Sequence, residues 1–184
     1  GIFLNLTDVA DHSILNTGSI TGSQDGIDCR SQGLEVQNTG TIIAENRGIH
    51  TENGASIINT GLISSGSATI DISGTGSNYI RNTGDLSSDN SDVIVLDGEY
   101  NRIVNTSTGN IVADDGSSDH GVFNFTGFRN FLTNDGHISA GGSGVFFEAP
   151  ETGFGYHQLV NNGTITSWWS DAAMLLGGYA DIYN

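Results

Sequence analysis

Cysteine is almost missing from this chain: Cys29 is the single one in 184 residues. An intrachain disulfide framework and a cysteine-cluster zinc site are thereby excluded. Proline occurs once, at Pro150. Lysine is absent, and the five basic residues are Arg30, Arg47, Arg81, Arg102 and Arg129. Against 21 acids they leave a formal net charge of −16. That balance excludes a nucleic-acid binder working through a basic patch and disfavours docking on anionic lipid. No run approaches the ~20 apolar residues of a membrane span, so no membrane insertion of this segment is expected. Nothing at Gly1 reads as a signal peptide. Aromatics are scarce early, Phe3 being the only one before Tyr79. Charged residues are also few, at 14%, which does not fit a disordered acidic tail.

The chain is instead rich in glycine, with 27 residues, and in asparagine, with 18. These residues mark a repeat. Asn-Thr-Gly stands at Asn16, Asn38, Asn59 and Asn82, and variants follow at Asn105, Asn134 and Asn161, with Asn184 at the same point of the pattern. Successive spacings are 22, 21, 23, 23, 29, 27 and 23 residues. Two residues after each marker glycine comes an aliphatic residue: Ile20, Ile42, Ile63, Leu86, Ile111, Ile138 and Ile165. Two residues before each marker asparagine comes another: Ile14, Val36, Ile57, Ile80, Ile103, Leu132, Leu159 and Ile182. A third column is Ile2, Ile27, Ile49, Ile70, Ile94, Val122, Val145 and Met174.

Alternation at period two, in runs too short for a helix, predicts three short strands per repeat. The fold class is therefore all-β: a parallel β-helix of about seven coils of ~21–29 residues, right-handed by the bias of parallel crossovers. At ~4.8 Å per coil the rod would be roughly 34 Å long. The stretch from Trp168 to Leu176 reads as a decorated turn leading into a strand. The asparagine column predicts a ladder of amides bonded above and below, with the glycines supplying positive φ at the corner. Residues 1–184 read as a single β-helix segment. The repeat starts and stops in mid-coil, so the expectation is a piece of a longer solenoid or a unit that stacks end to end.

Acids gather in the turn between the first and second strands of the repeat, among them Asp25, Glu45 and Asp171. In Ser88-Asp89-Asn90-Ser91-Asp92 and Asp114-Asp115-Gly116-Ser117-Ser118-Asp119 oxygen donors recur on neighbouring coils. Calcium takes six to eight such oxygens, so Asp89, Asp92, Asp114, Asp115 and Asp119 are candidate calcium ligands; no other cofactor is indicated. Solvated turn acids are the plainer reading. The histidines His12, His50, His120, His137 and His157 fall at different repeat positions, without metal-site spacing, and are expected to be exposed. Cys29 is expected to point inward beside Thr51, Ile72 and Leu96. Arg81 and Arg102 read as equivalent positions that neutralise acids such as Asp85.

Later coils carry the aromatics. Tyr100, Phe128, Tyr156 and Tyr179 share an offset and predict a column. With Val122, Val145 and Met174 inward, Phe123 and Phe146 would face outward. Phe123, Phe146, Tyr156, Trp168 and Trp169 are thus candidate partner-binding residues, for protein docking or for the apolar faces of sugars.

Runs such as Asn38-Thr39-Gly40-Thr41-Ile42 resemble the repeats of large bacterial surface proteins, the autotransporter passengers and filamentous-haemagglutinin-like adhesins. The resemblance is one of repeat style over nearly the whole chain. It implies a non-catalytic, extracellular structural or adhesive module on a bacterial cell surface, in a filament or surface layer, whose partners are copies of itself or other surface proteins. The alternative is a carbohydrate-active β-helix that binds or cleaves polysaccharide. Asp114-Asp115 and Asp119-His120-Gly121 are similar in composition to the acid pair and Gly-His-Gly of polygalacturonase-type β-helices. Here, however, the two elements lie within one loop, and a lysine-bearing partner motif is missing, so no enzymatic activity is expected.

Overall fold

The computed structural model describes residues 1–4, 11–74, 76–113, 123–127, 129–148, 156–176 and 179–184. Among these the chain forms 23 short strands and no helix. Each strand pairs in parallel with its counterpart one coil away, giving three sheets of eight, eight and seven strands. Sheet I runs from Ile2–Leu4 to Ala173–Leu176, sheet II from His12–Asn16 to Tyr179–Tyr183, and sheet III from Ser19–Gly22 to Thr164–Ser167. The all-β, three-stranded-coil solenoid read from the repeat is therefore the architecture.

The three aliphatic columns become its core. Ile27, Ile49, Ile70 and Ile94 of sheet I are fully buried, as are Val36, Ile57, Ile80 and Ile103 of sheet II and Ile42, Ile63, Leu86 and Ile111 of sheet III. Each such side chain contributes roughly 1.5–3 kcal/mol by leaving water. Registers are residue-to-residue: Ile57 lies opposite Ile80, and Ile80 opposite Ile103. Cys29, Thr51, Ile72 and Leu96 form one inward file, and Cys29 is fully buried, as expected. The stretch after Trp168 is a turn that enters the strand Ala173–Leu176, also as expected.

The Asn-Thr-Gly corners hold a continuous amide ladder. Asn16 Nδ2 donates to Asn38 Oδ1 at 2.7 Å, Asn38 to Asn59 at 2.8 Å, Asn59 to Asn82 at 2.9 Å and Asn82 to Asn105 at 3.0 Å. The ladder continues through Asn134 and Asn161 to Asn184. The glycines after these asparagines serve a different purpose from the one expected. Among the described residues the positive-φ glycines are Gly33, Gly54, Gly74, Gly98 and Gly127, and none follows a marker asparagine. At Gly61 a Cβ would stand 2.0 Å from the Gly40 carbonyl oxygen, and at Gly84 it would stand 2.1 Å from that of Gly61. Glycine is required there because adjacent coils touch backbone to backbone.

Three expected columns are corrected. Ile94 lies opposite Phe123, and Val145 opposite Ala173, so Phe123 and Ala173 take the rungs expected for Val122 and Met174. Asn124 is then opposite Phe146, so Phe123 and Phe146 fall on alternating positions and not on one outward stripe. Val122 itself lies outside the described residues. The entry into each of these two strands differs by one residue from the repeat, and a one-residue slip exchanges the faces. The column of Tyr100 and Tyr156 contains Arg129 by register, where Phe128 was expected; Phe128 lies outside the described residues. Arg102 is opposite Tyr79 and Arg81 opposite Val104, so the two arginines are not equivalent, and Asp85 is bonded by Asn110 instead.

Candidate functional site

A groove of about 720 Å³ runs along the corner between sheets I and II, lined by residues of five successive coils. Its floor follows the outward ladder Glu35, Ser56, Tyr79 and Arg102 of sheet II. The corner position two residues before this ladder is left-handed at Gly33 (φ 78°), Gly54 (φ 59°), Tyr100 (φ 60°) and, one coil past the groove lining, Arg129 (φ 55°), but not at Ser77, which stands between Gly54 and Tyr100. Glycine adopts that conformation without steric cost, whereas a Tyr or Arg there costs about 1–2 kcal/mol. Both strained side chains are exposed and meet each other. The Arg129 guanidinium lies 5.4 Å from the Tyr100 ring centre and donates to its hydroxyl. Arg102 stands 6.0 Å from the Tyr79 ring centre in the same way.

Directly behind the groove is a second asparagine ladder. Asn78 Oδ1 accepts the Ala55 N–H at 2.8 Å, Asn101 Oδ1 accepts the Asn78 N–H at 3.1 Å and its Nδ2–H at 2.8 Å, and Asn130 Oδ1 accepts the Asn101 N–H at 3.0 Å. These amides are buried and hold the backbone that carries Tyr79, Tyr100 and Arg102. The sequence did carry a signal: asparagine stands two residues before Ile80, Ile103 and Leu132. The next rung in this file is His157, fully buried and stacked on Phe147 at 5.0 Å.

A second cluster lies on the outer face of sheet I. Asp28, His50 and Asp71 are lateral neighbours on three coils. His50 Nδ1 is 2.8 Å from Asp28 Oδ1, and both residues are buried, so His50 and His157 correct the expectation of exposed histidines. Arg47 bonds both oxygens of Asp25 through Nε and Nη2, and Asp71 through Nη1 at 3.0 Å. Burial pushes the Asp25 carboxyl up, but the Arg47 hydrogen bonds outweigh it and hold the carboxyl below its ordinary range. Asp25, Asp28 and His50 offer ligand atoms within 4.8 Å of one another, the one such trio among the described residues. Two carboxylates and an imidazole suit a divalent transition metal. Because Arg47 already occupies both Asp25 oxygens, a cation would have to displace it; the cluster as it stands is an ionic staple across three coils. Sequence spacing could not reveal it, since the bonded partners are 22 to 24 residues apart.

Of the candidate calcium ligands, Asp89 is exposed and shares a hollow with Glu45, while Asp92 is nearly buried at 9% exposure. Asp114, Asp115 and Asp119 lie outside the described residues. Of the candidate partner-binding aromatics, Trp168 and Trp169 are the most exposed, at 70% and 67%. Phe146 and Tyr156 are half-buried on sheets I and II, and the Tyr156 hydroxyl donates to Asp181 at 2.5 Å. These residues belong to different sheets and turns; the groove pairs Tyr79–Arg102 and Tyr100–Arg129 were not among those singled out. Comparison with protein-family models, with curated proteins and with solved structures returned no match to this chain.

Proposed function

We propose that the chain is a non-catalytic structural and adhesive solenoid of a bacterial surface protein, acting as a stiff extracellular rod in a stalk, filament or surface layer. The observation that carries this reading is the unbroken amide ladder from Asn16 to Asn184, which ties every coil to the next beside a continuous aliphatic core. Such a stack resists bending and shear because neighbouring coils are bonded in three parallel sheets. The likeness of the Asn-Thr-Gly-x-Ile runs to the repeats of autotransporter passengers and filamentous-haemagglutinin-like adhesins supports the surface location. Calcium at the acidic turns, and docking of copies or other surface proteins on Trp168 and Trp169, belong to the same proposal.

Single-molecule pulling tests the mechanical part. The expected record is a series of steps, each releasing one coil of 21 to 29 residues, with Asn82→Ala lowering the force of the steps around its own coil. Smooth extension at negligible force would overturn the rod reading.

A further inference from the structure

We propose that the groove between sheets I and II binds an acidic oligosaccharide, with Arg102 and Arg129 taking its uronate carboxylates and Tyr79 and Tyr100 its ring faces. This goes beyond the rod and stands or falls separately from it.

The first support is charge. In a chain of net charge −16, Arg30 and Arg47 are spent on Asp28, Asp25 and Asp71. Arg102 and Arg129 are exposed and, among the described residues, form no ion pair despite the excess of acids. Each instead lies near a tyrosine ring, which leaves guanidinium N–H groups able to grip a carboxylate in two-point fashion.

The second support is conformational. Glycine takes the left-handed conformation at Gly33 and Gly54, while Ser77 at the same position does not, so the fold does not impose that conformation on a larger side chain. Tyr100 and Arg129 occupy the same strained conformation without becoming buried, so packing of the core does not explain them.

The third is repetition. Coils recur at ~4.8 Å along the axis. Two Tyr–Arg pairs stand on consecutive coils in neighbouring files, Tyr79–Arg102 on the floor and Tyr100–Arg129 two residues before it at the corner. That suits an elongated ligand that presents rings and carboxylates on successive units. Glu35 and Asp11 line the far end of the groove. Their carboxylates accept hydroxyl hydrogen bonds and repel anions, so the charged sugars are directed to the Arg102 end. A peptide strand is a poorer occupant, because the Ala55, Asn78 and Asn101 backbone N–H groups are already taken by the second asparagine ladder.

Calorimetric titration of the folded chain with tetragalacturonate, with its methyl ester and with tetraglutamate tests the proposal at physiological ionic strength. Saturable binding of tetragalacturonate is expected, weakened about tenfold or more by esterification and by Arg102→Gln with Arg129→Gln. Tyr100→Gly and Arg129→Gly separate binding from folding: each is expected to raise Tm by about 2–4 °C while weakening the sugar. Absence of saturable binding, equal affinity for the ester, or indifference to the arginine variants would overturn the proposal. Tetraglutamate binding as tightly as the sugar would also overturn it and assign the groove to peptide carboxylates.

Discussion

His157 is a buried titratable side chain with no hydrogen-bond partner among the described residues. It is fully buried, and its ring lies on Phe147 with 16° between the planes. Burial penalises the imidazolium and lowers its pKa below 6.5. Between that lowered value and 6.5 the unfolded chain binds more protons than the folded one, so stability is complete above about pH 6.5 and falls as the pH drops. Asp25 works in the same direction at lower pH: its depressed carboxyl contributes stability above its ordinary range near 3.9, and this is lost as acid protonates it. His157→Asn should abolish the upper window. The asparagine would continue the file of Asn78, Asn101 and Asn130 and give an acceptor to Asn130 Nδ2, which has no partner among the described residues. Urea midpoints at about pH 7 and about pH 5 check this: the native chain is expected to lose stability between them and the variant to keep it. Equal losses in both would show that His157 does not set the acid sensitivity.

The corner is the element that decides how tightly coils stack, and its glycine shows where linear reading stops. Alternation, the ~23-residue period and the marker asparagine are written in the linear sequence, so the strands, two of the aliphatic columns, most of the third and the Asn16–Asn184 ladder were legible. The role of the glycine is a relation between coils and was not. At Gly61 an added Cβ would meet the Gly40 carbonyl oxygen at 2.0 Å, a backbone atom that cannot swing away, whereas Gly18 has no atom within 4 Å. Gly61→Ala should therefore cost about 2–3 kcal/mol and Gly18→Ala less than about 0.5 kcal/mol, as read by chemical denaturation. Similar costs at both sites would mean that backbone freedom, not coil contact, selects glycine. The same limit explains the Asp25–Arg47–Asp71 staple, the strand entries at Phe123 and Ala173, and the Tyr100–Arg129 pair. Each depends on what the coil above or below presents, and insertions of a few residues in later turns shift that register.

At the scale of the whole rod the coils bring acids close together. A net charge of −16 on a rod of roughly 34 Å is about one charge per 2 Å of axis, near the density of double-stranded DNA. The staple of Arg47 relieves this at three coils only, and the remaining acids repel through solvent. Screening falls from a reach of about 10 Å at 0.1 M salt to about 3 Å at 1 M, so Tm should rise with sodium chloride across that range. A falling Tm would mean that the acids are already neutralised within the fold. Calcium and magnesium chlorides at matched ionic strength then separate screening from binding. The oxygen donors of Asp89 and Asp92, and of the Asp114, Asp115 and Asp119 stretch, would favour calcium, because magnesium demands strict octahedral geometry and keeps its waters. A larger Tm increase in calcium, removed by Asp89→Asn with Asp114→Asn, is the expected result. Identical curves in the two salts would leave screening as the whole effect and remove calcium from the proposed function.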